Sequence, residues 1–275
     1  MTIGYSEFSF GYAFTENLIR SAASAPIGAP VFPNLYDEGS WGFDVKISLP
    51  GVPLFFPYKL PELMTRNSAR ELSISPPLTL AVPFFRMPLM RRDLSKQRQL
   101  HIILETNFPG TVFYASSCLP DLSSFNKAYN IARIHNRSVL FSPSDIGPLP
   151  DDKDHCVVYQ DGKSFGYFCS EPQQIHAVTF ENVAQGARSL FEQDTQFREM
   201  PIASRNLLEV IRSLVSAPMR ATESILVQHI RERRRALRDQ PTISTADEAV
   251  ESILVAREMA RVDLGIDVMI AQPRA

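Results

Sequence analysis

A chain of 275 residues, 44% of them hydrophobic, is long enough to bury its own core, as one large domain or as one domain with a helical appendage. Its formal net charge of −2 argues against a strongly basic polyanion binder. Cys118, Cys156 and Cys169 are odd in number and lack CxxC spacing, so neither a disulfide framework nor a zinc site is indicated. With no basic-then-apolar leader and no window near the roughly 20 apolar residues of a membrane span, the expectation is a soluble cytoplasmic protein that avoids membranes.

In chain order, the spacing of Ala13, Phe14, Leu18 and Ile19 predicts a helix within 5–20, carrying Glu7 and Glu16. Prolines and glycines then predict a loop-like stretch. Over 41–49, Trp41, Phe43, Val45, Ile47 and Leu49 alternate with Gly42, Asp44, Lys46 and Ser48, the period of a strand with one apolar and one polar face. Pro50 and Gly51 make a turn, and the apolar run 52–59 returns as a second strand ending at Lys59. The prolines of 61–93 predict an irregular insertion.

Beyond it a helix is expected over 94–105, a strand over 111–116, a helix capped by Asp121 that runs to about Ile134, and a short strand over 139–141. Asp161-Gly162 predicts the turn of a hairpin, 155–160 with 164–169. After about residue 178 the pattern turns helical: 180–193, 203–239 broken at Pro218, and 245–261, opened by a Thr245/Glu248 capping box. The fold class is therefore α/β, a mixed central sheet with flanking helices over 1–175, followed by a helical extension over 176–275.

The chemistry concentrates in the strand pair. Cleavage of a phosphodiester by a hard divalent cation needs carboxylates to hold the ion and a lysine to activate water or steady developing charge. Asp44 and Lys46 share a strand face, Lys59 ends the adjacent strand, and Glu7 or Glu16 comes from the preceding helix. Other combinations carry less. His155 and Cys156 are strand neighbours on opposite faces and do not pair as base and nucleophile. Asp151, Asp152 and Asp154 read as a loop.

In these residues the chain resembles the PD-(D/E)XK nuclease superfamily, in which a helical Glu, a strand Asp and a (D/E/Q)-x-K on the next strand surround a metal. The resemblance covers roughly 5–142 and implies a restriction-endonuclease-like core. Glu7 or Glu16 matches the helical acid, Asp44 the strand acid and Lys59 the lysine. Pro57 stands at the second acid position, where only its backbone carbonyl offers a ligand. A second register, with Asp44-Val45-Lys46 as the triplet and Asp37 or Glu38 before it, keeps a full acidic set.

The resemblance implies a Mg²⁺-dependent DNA endonuclease, a subunit of a bacterial restriction or anti-phage system. The alternative is an inactive relative that serves as a scaffold or recognition subunit, docking a protein partner or a second copy through its C-terminal helices. Arg86, Arg91, Arg92, Lys96 and Arg98 form a basic cluster for phosphates, or else a solvated helix start. Without such a site, Asp44 and Lys46 are a solvated strand face and Lys59 caps a strand.

Overall fold

The computed structural model describes residues 3–21, 52–89, 97–194, 197, 199–236 and 245–271. The chain is mixed α/β and divides into two compact units, 1–23 with 56–185, and 24–55 with 186–275.

In the first unit the predicted helix forms as α1 (Glu7–Ser21), and Phe10, Ala13 and Phe14 on its apolar face are buried. The run 52–59, expected to be one strand, is two that belong to different sheets: β1 (Val52–Phe56), all but its last residue in the second unit, and β2 (Tyr58–Lys59) in the first. Pro57 stands at the break because it has no N–H for a ladder. Its expected hairpin partner, 41–49, lies outside the described residues.

Over 61–89 the insertion that its prolines predict to be irregular is in part regular. It contributes β3 (Glu62–Met64), a 3-10 turn (Arg70–Ser73) and β4 (Phe84–Leu89). These strands join β7 (His155–Tyr159), β8 (Phe165–Phe168) and β9 (Gln173–His176) in an antiparallel sheet of order β3-β4-β7-β8-β9. Pro88 is tolerated inside β4 because the β3 pairing ends at Glu62↔Arg86, so at Pro88 only β7 is alongside among the described residues.

After β4 the chain forms α2 (Gln97–Asn107), β5 (Tyr114–Ser117), α3 (Leu122–Asn130), β6 (Ser138–Phe141) and the one-turn α4 (Pro143–Ile146). Asp121 caps α3 as predicted, its Oδ1 accepting from Ser124 N at 2.7 Å. β2 runs parallel to β5 in the register Tyr58↔Ala115 and Lys59↔Ser116, and β5 is antiparallel to β6. A parallel neighbour requires a long crossover, here made through β3, β4 and α2. The β7–β8 hairpin turns at Asp161-Gly162, with Gly162 at φ +75°, as that dipeptide predicts.

Two apolar layers result. Tyr114, Val139 and Phe141 of one sheet pack with Met87, Tyr159 and Phe168 of the other. The reverse face of the five-stranded sheet, with Phe84, Cys156, Val158 and Tyr167, is covered by Ala69, Leu72 and other residues of 65–83.

The second unit is mainly helical. After α5 (Phe180–Gln193), which starts in the first unit, come α6 (Met200–Leu214), α7 (Ala217–Ala236) and α8 (Thr245–Met259). The helix break expected at Pro218 falls slightly earlier, where Asp263 accepts from both the N–H and the hydroxyl of Ser216 at 2.7 and 2.8 Å. Pro218 then occupies the second position of α7, where a missing N–H costs little. Arg231 ties α7 to α8 by two bonds to Glu251 at 2.8 and 2.9 Å. A π-helical turn (Ala260–Leu264) leads into β10 (Asp267–Ala271), which the sequence pattern did not announce and which pairs with β1. No described helix is long and apolar enough to cross a membrane.

Candidate functional site

The site builds outward from β2. Tyr58 turns toward α1, where its hydroxyl lies 2.8 Å from Thr15 Oγ1 and its ring meets the edges of Phe10 and Phe14. Gly11 permits this approach, because a Cβ there would stand 2.7 Å from Tyr58 Cδ2. Strand alternation then turns Lys59 to the sheet face away from α1, the face it shares with Ser116 in the parallel register. Lys59 is half-buried.

Glu7 reaches the same strand end from the helix, its Oε2 accepting from Leu60 N at 3.1 Å. The carboxylate thus anchors to the backbone one residue beyond Lys59. Glu16 lies nine residues further along α1, a rise of about 13 Å, so the two glutamates cannot serve one ion. Glu16 is held by Arg20 at 2.7 Å and by Asn17 Nδ2 at 2.7 Å. Of the two candidates for the helical acid, Glu7 is the one placed beside the lysine strand.

The Pro57 carbonyl accepts from Ala115 N at 3.0 Å, so one of its lone pairs is committed to the sheet. Asp44 and Lys46 lie outside the described residues, as do Arg91, Arg92, Lys96 and the side chain of Arg98. Arg86 is described, and it is not turned to solvent for a phosphate. Its guanidinium pairs with Glu62 and, at 2.9 Å, with the buried Glu71. Among the described residues no group of three His, Cys, Asp or Glu side chains is placed to hold a metal ion.

Beneath β2 lies a buried polar network that the sequence reading missed. Ser116 Oγ donates to Lys59 O at 3.0 Å, and the Tyr159 hydroxyl sits 2.8 Å from Ser116 Oγ and 2.7 Å from Ser117 O. Tyr5 adds a second anchor, its hydroxyl 2.9 Å from Ser117 Oγ and 2.8 Å from Leu119 O. Burial pushes the Tyr5 phenol up to about 12, although the Ser117 bond acts in the opposite sense. It pushes the phenol of Tyr159 well above its ordinary value too. Both are therefore neutral hydrogen-bonding posts rather than acid–base groups. Hydroxyls inside an apolar run such as 111–119 were the available signal, since buried polar groups need partners.

Gly11→Ala tests the helix–strand seam. Alanine is intrinsically the better helix former by about 1 kcal/mol, so an exposed site would gain. Here the Tyr58 ring is pinned by Thr15 and two phenylalanines and cannot yield. We expect a net loss of about 1–3 kcal/mol in urea denaturation, with faster hydrogen exchange at Leu60 N as Glu7 is displaced. A variant as stable as the parent would show that the seam is loose.

Comparison with protein-family models, curated proteins and solved structures found no match to this chain. The class that the fold defines is a mixed α/β protein whose lysine-bearing strand is parallel to the strand that follows α2.

Proposed function

We propose that the first unit is a restriction-endonuclease-like module, a metal-dependent DNA endonuclease in which Lys59 and Asp44 carry the cleavage site. The carrying observation is the junction at the end of β2, where the Glu7 carboxylate of α1 binds the backbone beside Lys59. The order α1, lysine strand, α2 and a following parallel strand supports the same reading. Mg²⁺ is the ion this reading calls for, with Asp44 and a helical glutamate as its holders. Lys59 would position or deprotonate the attacking water. By the same resemblance we extend the reading to a cytoplasmic subunit of a bacterial restriction or anti-phage system.

A second reading is favoured by Pro57, which supplies no side-chain ligand and engages its carbonyl in the sheet. On it the chain is an inactive nuclease relative, a scaffold or recognition subunit that binds a protein partner or a second copy through its C-terminal helices.

One assay separates the two. Purified protein with Mg²⁺ or Mn²⁺ is expected to degrade DNA, and Lys59→Ala or Asp44→Ala is expected to abolish this while the denaturation curve keeps its slope. Inactivity of the parent protein, with any co-purifying partner retained, would leave the scaffold reading in its place.

A further inference from the structure

The spacing of Cys156 and Cys169 carries no redox signature, yet the sheet brings them together. The β7–β8 register Val157↔Phe168, Val158↔Tyr167 continues by one step to oppose the two cysteines, and Cys169 N donates to Cys156 O at 3.1 Å. Residues opposed across an antiparallel ladder bond have Cα atoms about 5.5 Å apart, inside the roughly 4.4–6.8 Å range that disulfides span. Both side chains lie on the face covered by 65–83, packed with Phe84 and Val158. On the other face, His155 Nδ1 lies 2.6 Å from Ser170 Oγ, which pins the same strand ends together.

We propose that Cys156 and Cys169 are a reversible redox pair, a modification site at which an oxidant of the peroxide class closes a cross-strand disulfide. One thiolate of the pair attacks a peroxide oxygen and breaks the O–O bond, giving a sulfenic acid and releasing water after proton uptake. The second thiol, losing its proton, attacks the sulfenic sulfur, forms the S–S bond and expels a second water. The two cysteines lose two electrons together, and the peroxide gains them.

The two thiols differ in their electrostatics. A hydrogen bond from the Cys169 thiol holds Cys156 below the ordinary thiol value, against the opposing effect of burial. Cys169 is correspondingly raised, by that bond first and by burial second. Half-buried Cys169 gives small oxidants and reductants access. Cys118 is the internal contrast: it is buried, and burial pushes its thiol up.

The test uses the reduced full-length chain, treated with hydrogen peroxide, alkylated, and mapped by mass spectrometry. The expected product is an intramolecular cross-link between the Cys156 and Cys169 peptides, two hydrogens lighter, with Cys118 still alkylated. Dithiothreitol should restore all three thiols, and Cys156→Ser or Cys169→Ser should each abolish the cross-link. Sulfinic acid at Cys169 without a cross-link, disulfide-linked dimers, a bridge to Cys118 or unchanged thiols would each overturn the proposal. The mapping of the parent chain decides the matter even where a serine variant fails to fold.

Discussion

Arg86→Met is expected to lower stability by about 3 kcal/mol at neutral pH, read as a shift in urea midpoint at constant slope. Glu71 is fully buried, and its Oε1 accepts from Arg86 Nη1 at 2.9 Å and from Arg70 Nε at 3.1 Å. Burial alone would raise this carboxyl, but hydrogen bonds from Arg86, from its own backbone and from Arg70 outweigh it and hold it below the ordinary glutamate value. Removing Arg86 leaves a buried charge with one remaining cationic partner, which is mostly exposed. The Arg86–Glu62 pair contributes little, because Glu62 is itself exposed.

The pH dependence follows from the direction of that shift. In the parent protein a depressed carboxyl stabilises the fold above its unfolded pKa, and this is lost as pH falls through the folded value. In Arg86→Met, burial dominates and the carboxyl moves up. The stability gap between variant and parent should therefore be widest near pH 7 and narrow as pH falls, first through the raised carboxyl of the variant and then through the depressed carboxyl of the parent. Adding Glu71→Gln to Arg86→Met should recover part of the loss, because a neutral buried pair needs no counter-charge. A gap that stays constant with pH would mean that the loss comes from packing of the arginine stem instead.

This ion cluster also shows why one part of the sequence misled. Arg86 stood beside Arg91, Arg92, Lys96 and Arg98, and proximity in sequence suggested one basic patch. Its charge is instead matched by Glu62, which the β3–β4 register sets directly opposite, and by Glu71 from a turn in the proline-rich stretch. Neither pairing has a local signal, because both depend on strands that the prolines concealed.

Elements whose cause is local were readable. The apolar spacing of α1, the Asp121 cap and the Asp161-Gly162 turn all appear where their chemistry predicts. The split of 52–59 at Pro57 was not, since a proline marks where a ladder can break but the assignment of β1 to β10 and of β2 to β5 rests on non-local pairing. β9 was missed because only Ile175 in it is buried, as suits a polar edge strand. Of the candidate site, the helix that carries both glutamates and a strand ending at Lys59 were legible, but which glutamate lies beside Lys59 needed the direction in which α1 crosses β2. Residue 7 meets residue 60, residue 11 meets residue 58, and residue 14 meets residue 56, so the helix runs antiparallel to the strand.

Tyr159→Ala should cost about 3–5 kcal/mol, and Tyr159→Phe about 1–3 kcal/mol, because the two variants remove different things. The ring is fully buried between the sheets, stacked on Phe85 at 5.5 Å and tilted against Phe141 at 5.7 Å, so alanine leaves a cavity. Phenylalanine keeps the packing and removes only the hydroxyl shared between Ser116 Oγ and Ser117 O. Those acceptors are buried and would lose a partner. The consequence should travel one bond further, since Ser116 Oγ also holds Lys59 O. Tyr159→Phe should therefore speed hydrogen exchange at Ala115, whose N–H closes the parallel ladder onto Pro57, more than at strands remote from Ser116. If Tyr159→Phe matches the parent in both stability and exchange while Tyr159→Ala unfolds, the hydroxyl does not support β2. The lysine strand would then rest on α1 and on apolar packing alone.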